Sequence, residues 1–373
     1  MPTASNVSEI GLEVYPPPDK RVRPKVPLVA AKTVVRKATG SLFETYTAGV
    51  AARVSREALR HNVDELTAFN TRHTRSALIG AVAALVQDRF RQLGYSDIFV
   101  HDYVRDNLML SNVVCTKKGE SISNEPLLIC AHYDSRMENL EDAAALAPGA
   151  DDNASGVAVL LEAARVLACE VLIRDVQFVA FSGEEQGYWG STAYAEHLKA
   201  GGIRLRGLLN LDQIGYPPQD RSITVERDIG NQIADNDVAS EQFAQILAQA
   251  AANHTTLPVR FGPIYGSDYM PFEARGYVVA GTYANGNNPN YHSTRDTTET
   301  LDLDYMVEVT RLVVASVLHE TSPLARLLSV REVASTYLYK VPPLSIRTDI
   351  YSGIDPQQRT LKERLREIIA AGP

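Results

Sequence analysis

Three apolar runs in this chain end alike. PLLIC opens into AHYDS, VQFVAF into SGEEQG and LLNL into DQIG, so each aliphatic run closes on a histidine or an acid: His132, Glu184 with Glu185, and Asp212. Short continuous apolar runs are buried on both faces when they form strands. Strands are predicted at Ile98–Val104, Leu108–Cys115, Leu127–Ala131, Val176–Phe181, Leu205–Leu211 and Val278–Tyr283. Between and around them the apolar spacing turns helical. Helices are predicted over Ser55–Phe69, with Leu59, Val63 and Leu66 on one face, and over Ser76–Leu93, stopped by Gly94. Others fall at Ser155–Ala168, Trp189–Leu198, Ser240–Ala252 and Leu303–Leu318. This alternation predicts a three-layer α/β/α sandwich around a mixed, mostly parallel central sheet. Such sheets bind ligands beyond the carboxyl ends of their strands, where these polar residues fall.

Two further segments add to the set: Asp152 in GADDNASG, which leads into a helix, and His292 in NYHSTRDT, after a Gly/Asn/Pro-rich loop. Two imidazoles and three carboxylates suit zinc better than calcium or magnesium. The set is also large enough for two ions about 3.5–4 Å apart, the arrangement used to hydrolyse peptide and phosphate bonds. In HYD, Asp134 lies two residues from His132 and can share its face of a strand, where a carboxylate would orient the imidazole. Adjacent Glu184 and Glu185 invite a division of labour, one holding metal and the other moving the proton of a bound water. Each motif alone has a plainer reading: a polar strand end, a helix N-cap at Asn153 or Ser155, a solvated loop. The other histidines lack a comparable carboxylate setting and read as structural or surface residues.

Composition narrows the class. The chain has 373 residues and a net charge of −8, which argues against nucleic acid or an anionic membrane as partner. No apolar run is long enough to span a bilayer. The N-terminus lacks the basic and apolar regions of a secretory signal, so the expected location is cytoplasmic, or secreted if a leader preceded this Met1. Cys115, Cys130 and Cys169 are too few for a disulfide framework and read as buried thiols. Three regions are expected: an extended Pro-rich arm at 1–40, a catalytic domain at 41–323, and an extension at 324–373. The last has helical spacing from Gln357 to Ala370 and could pack on the core or on a second copy in a homo-oligomer.

Taken in order, HxD, G-x-[DN]-D-x-x-S-G, EE-x-G, LD and YH[ST]xxDT resemble the co-catalytic dizinc aminopeptidases, the family that includes the secreted aminopeptidases of Vibrio and Streptomyces. The resemblance covers roughly residues 55–320. It implies that Asp152 bridges two zinc ions, that His132 and Asp212 complete one, and that Glu185 and His292 complete the other. Cobalt or manganese are the alternative metals. It makes Glu184 the general base, Tyr291 a donor to the oxyanion, and the Asp152–Asn153 peptide cis. Asp151 is not the ligand. The family's SDH segment is here Ser267-Asp268-Tyr269, so the pocket around Tyr269 departs from the pattern.

The resemblance thus implies an exopeptidase that cleaves the N-terminal peptide bond of a peptide through a dizinc-bound hydroxide. The charges agree: two zinc ions are balanced by three carboxylates and one hydroxide. Two alternatives stay open: a dizinc amidase or deacylase acting on an N-acyl amino acid or small amide, with glutaminyl-cyclase-type acyl transfer as a related case, and a non-catalytic binding module on the same fold.

Overall fold

The computed structural model describes residues 42–120 and 125–323, with Val29–Ala30 and Ala325. The chain divides into two units, Met1–Ser322 and Pro323–Pro373, and the fold is that of the first. The rest of the predicted arm and the C-terminal helix lie outside the described residues.

Among the described residues nine strands form one sheet. They are β1 (Val29–Ala30), β2 (Ile98–Arg105), β3 (Leu108–Lys117), β4 (Leu127–His132), β5 (Val176–Phe181), β6 (Gly207–Leu211), β7 (Ile223–Arg227), β8 (Val259–Pro263) and β9 (Val279–Tyr283). Their spatial order is β1-β8-β7-β9-β6-β4-β5-β3-β2. The centre, β9-β6-β4-β5, is parallel throughout. The outer ladders are antiparallel except β7 with β8. The sheet is therefore mixed, and its parallel part is the buried middle, as the continuous apolar runs require. Every residue of β4, β6 and β9 is buried.

Helices cover both faces. On one side lie α1 (Leu42–Ala51), α2 (Arg56–Thr67), α3 (Ile79–Gln92), α4 (Ser155–Leu167), α6 (Asp237–His254) and α8 (Leu303–Thr321); on the other are α5 (Trp189–Ala200) and the short α7 (Met270–Glu273). Ser55 caps α2 by accepting the Ala58 N–H at 3.1 Å, and Leu59, Val63 and Leu66 form its buried stripe. Asp302 caps α8 through the Tyr305 N–H. Helix α4 sits against α2, α8 and the sheet, so it is buried almost all round. Its Glu162 is fully buried and is answered by Arg165 at 2.7 Å and by the Ser55 N–H at 2.6 Å.

Under α5 and α7, Leu128 and Cys130 of β4, Val179 and Phe181 of β5, and Leu208 of β6 join Tyr194, Phe272 and Tyr269 in one apolar cluster. Alternate residues of each strand reach this cluster. Cys115 and Cys130 are buried, but Cys169 is exposed. It lies just past the C-cap of α4, where the apolar run has already left the core.

Candidate metal centre

The three central strands that carry the polar endings are neighbours, in the order β6-β4-β5. His132 ends β4 in register with Phe181 of β5, so the GEE turn after β5 and Asp212 after β6 flank it. Asp152 comes from the turn before α4, and His292 from the long connection after β9. His132, Asp134, Glu184, Glu185 and Asp212 are fully buried, and Asp152 and His292 nearly so.

His132 Nε2 lies 3.2 Å from Asp152 Oδ1, 3.6 Å from Asp212 Oδ1 and 3.7 Å from Glu184 Oε2. His292 Nε2 lies 3.3 Å from Asp152 Oδ2 and 3.1 Å from Glu185 Oε1. Donor atoms of His132, Glu184 and Asp212 lie within 4.8 Å of one another, as do those of Asp152, Glu185 and His292. Burial alone would lower His292, but Glu185 and Asp152 hold it above the usual imidazole range.

Asp212 and Glu185 each turn one oxygen to an imidazole and have a protein donor on the other, whereas both oxygens of Asp152 face imidazoles. Ser267 donates to Asp212 Oδ2 at 2.5 Å and itself accepts from Asn210 Nδ2. Arg136 Nε donates to Glu185 Oε2 at 2.9 Å. Gln213 Nε2 donates to Asp152 Oδ2.

Asp134 does more than orient His132. It lies 3.6 Å from His132 Nδ1, and its two oxygens accept the N–H groups of Glu184 and Glu185 and the Thr74 hydroxyl. It thereby ties the end of β4 to the turn after β5. Burial opposes its ionisation, yet His132 and these donors hold it below the usual carboxylate range.

Both oxygens of Asp151, which the resemblance implies is not the ligand, are held by other groups. It accepts the N–H groups of Gly215 and Tyr216 and the Asn288 amide. The Asp152–Asn153 peptide is cis, also as implied. Asn153 accepts from Gly156 N and Gln213 N and donates to Leu211 O, which joins the turn to the end of β6. Gly149 begins this turn at φ 54°, where a Cβ would meet Asp152 O at 2.3 Å.

Tyr291 stacks on His292, with ring centroids 3.6 Å apart. Tyr269 is fully buried in the apolar cluster, where its hydroxyl donates to Glu226 and accepts the Tyr265 N–H. It is part of the core under α7 and is closed to solvent.

Sequence reasoning missed three charged supports. Asp296, the aspartate of YHSTRDT, accepts the N–H groups of Asp151 and Asp152. Burial pushes both Asp151 and Asp296 up, and Asp296 is raised further by Asp151. Arg136 and the fully buried Arg72 are the others. Asp296 had a signal in its fixed place four residues after His292, whereas the arginines had none.

Residues 112–317 match the sequence model of Peptidase family M28. "Leucine aminopeptidase 1" of Trichophyton equinum is 30% identical over 285 residues, covering 71% of this chain and 74% of that protein. A "Probable zinc metalloprotease" of Pyricularia oryzae is 27% identical, covering 69% of this chain and 62% of that protein. A similar protein of Leptosphaeria maculans is covered to 64%, so the chain spans a little under two thirds of these two relatives. LapB of Legionella pneumophila superposes with a TM-score of 0.65 at 23% identity, over 78% of each chain, a likeness that speaks for the fold. With more than half its length matched by the family's model, the chain belongs to Peptidase family M28.

Proposed function

We propose that this chain is an aminopeptidase that hydrolyses the N-terminal peptide bond of its substrate with two zinc ions held between His132 and His292. Asp152 carries the proposal: its two oxygens face two different imidazoles, at 3.2 and 3.3 Å, with another carboxylate beside each. Donors about 2.0–2.1 Å from a tetrahedral zinc stand about 3.3 Å apart, so the donor set fits that metal. Five side chains would hold the pair: His132 and Asp212 on one ion, Glu185 and His292 on the other, and Asp152 on both. The pair, when bound, supplies a Lewis acid for the scissile carbonyl and lowers the pKa of a water to about 7.

Glu184 is the remaining carboxylate. Its Oε2 lies 3.7 Å from His132 Nε2, as near as Asp212 Oδ1 at 3.6 Å, and it is the resemblance, in which the first glutamate of the pair is the general base, that leaves Glu184 to move protons. It takes one from the attacking water and delivers it to the leaving amine. Asp134 fixes the backbone of Glu184 and so aims that carboxylate. Tyr291 offers its hydroxyl to the carbonyl oxygen. The substrate's free α-amine is received by the carboxylates of Glu184 and Asp212. The names of the relatives, a leucine aminopeptidase and zinc metalloproteases, support this reading.

The test is turnover of unblocked amino-acid anilides, with zinc removed and then restored, beside the same anilides N-acylated. Zinc-dependent release from the unblocked set alone is expected. Cleavage of the acylated set alone would transfer the site to the amidase or deacylase reading. Glu184→Ala should lower kcat at least 1000-fold with zinc content unchanged; retained turnover would remove Glu184 from its role.

A further inference from the structure

Away from the metal centre, three acids gather where three elements meet. Asp228 directly follows β7, Asp237 is the first residue of α6, and Glu273 is the last of α7. The loop IGNQIADN joins the first two. Two of the acids hold that loop with one oxygen each. Glu273 Oε1 accepts the N–H groups of Gln232 and Ile233, both at 2.7 Å, and Asp237 Oδ2 accepts the Gly230 N–H at 3.2 Å. Their other oxygens, Glu273 Oε2 and Asp237 Oδ1, and both oxygens of Asp228 are buried with no hydrogen-bond partner among the described residues. Asp228 is 1% exposed and Glu273 is fully buried. Glu273 and Asp237 lie near enough to Asp228 to oppose its ionisation; Asn236 and Ser240 favour it, yet neither satisfies its oxygens. The nearest arginine in sequence, Arg227, pairs with Glu241.

A buried carboxylate oxygen without a donor is explained by an ion or by a proton shared with another acid. Three such carboxylates together carry negative charge that the protein leaves unbalanced. The donor set is all oxygen, with no imidazole or thiolate, which suits a hard cation rather than zinc. The spacing agrees. These acids do not bring one oxygen each within 4.8 Å of one another, as the donors of the metal centre do. Ligands on opposite sides of calcium, each at 2.3–2.6 Å, stand about 5 Å apart, whereas magnesium demands a tighter octahedron.

We propose that Asp228, Asp237 and Glu273 form a calcium site, separate from the metal centre, that ties the end of β7 to the start of α6 and the end of α7. Ser267, whose hydroxyl supports Asp212, lies just before α7. The ion therefore braces the segment from which that hydrogen bond is made.

The experiment uses the zinc-loaded full chain in calcium-free buffer at pH 8, titrated with Ca²⁺ and separately with Mg²⁺, by calorimetry and thermal melts. A single Ca²⁺ should bind and, at about 100 times its Kd, raise Tm by about 5 °C. Mg²⁺ at the same concentration should give less than about half that rise. Asp228→Asn should weaken calcium binding at least about 30-fold. Having one buried charge fewer, it should melt above the unaltered chain without calcium and below it with calcium. Glu273→Gln keeps an oxygen for the Gln232 and Ile233 N–H groups and should weaken calcium at least about tenfold. Neither heat nor a Tm rise with Ca²⁺ on the unaltered chain would overturn the proposal and leave a proton shared by Asp228 and Glu273 as the balance of charge. A calcium response undiminished in both variants would place the ion elsewhere and overturn it as well. An equal response to Mg²⁺ would overturn the choice of calcium. Should Asp228→Asn fail to fold, Glu273→Gln decides.

Discussion

Arg72 directs its guanidinium at main-chain carbonyls: Tyr133 at 2.8 Å, Gly149 at 2.8 Å, Leu66 at 3.3 Å, and Pro148. Burial lowers it to about 10, against the pull of Asp296, Asp134, Asp152 and Glu185, so it stays charged at neutral pH and partly offsets the acids of the centre. It joins the end of β4 to the turn that carries Asp152. Arg72→Met leaves those carbonyls and that charge unanswered and should cost about 3–5 kcal/mol in urea unfolding; Arg72→Lys should recover only part, lacking the planar fork. Asp296 works at one remove, through the N–H groups of Asp151 and Asp152. Asp296→Ala should weaken zinc retention about 10–100-fold, read as metal content after dialysis against a chelator series. These supports explain what the sequence hides. His132, Asp152, Glu185, Asp212 and His292 are legible because each sits in a motif at a strand end or turn. Arg72 and Arg136 carry no pattern, because their partners are carbonyls and a carboxylate brought close only by the fold.

Among the elements, the central strands and long helices are legible to within a few residues, because their apolar period is set by burial. Strands β7, ITVER, and β8, VRFGP, escape prediction: each is short, polar at one end and placed toward the sheet margin. Helix α1 escapes because LFETYTAGVA mixes β-branched residues and glycine into a helical stripe. Asp228 follows β7 directly and is buried. Burial first, then Glu273 and Asp237, push it up to about 7. An acid raised on folding binds its proton more tightly in the folded chain. Its stabilising contribution is therefore complete below the unfolded value of about 3.9 and lost as pH rises through about 7. Asp228→Asn should raise stability by about 1–2 kcal/mol at pH 8, the gain shrinking toward pH 5, in thermal melts across that range. A gain that grows toward pH 5 would contradict this account of Asp228. Gly149→Ala tests the turn before α4: its positive φ and the 2.3 Å approach to Asp152 O should lower stability by about 2–4 kcal/mol.

At the scale of the molecule, the buried carboxylates of the centre repel one another until cations enter. Zinc at about 100 times its dissociation constant should stabilise the fold by about 2.7 kcal/mol, a rise of several degrees in Tm that a chelator reverses. A chain whose Tm ignores both would not be holding metal here. The sheet carries a second consequence, one of timing. Among the described residues β9 is the last strand to be synthesised, yet it lies between β6 and β7, both of which precede it. Until residue 283 has emerged from the ribosome, β6 and β7 each present an unpaired edge to whatever strand is near. His292 and Asp296 emerge later still. A nascent chain interrupted before that point carries most of the acids of the centre without His292 and Asp296, and with the edges of β6 and β7 still open.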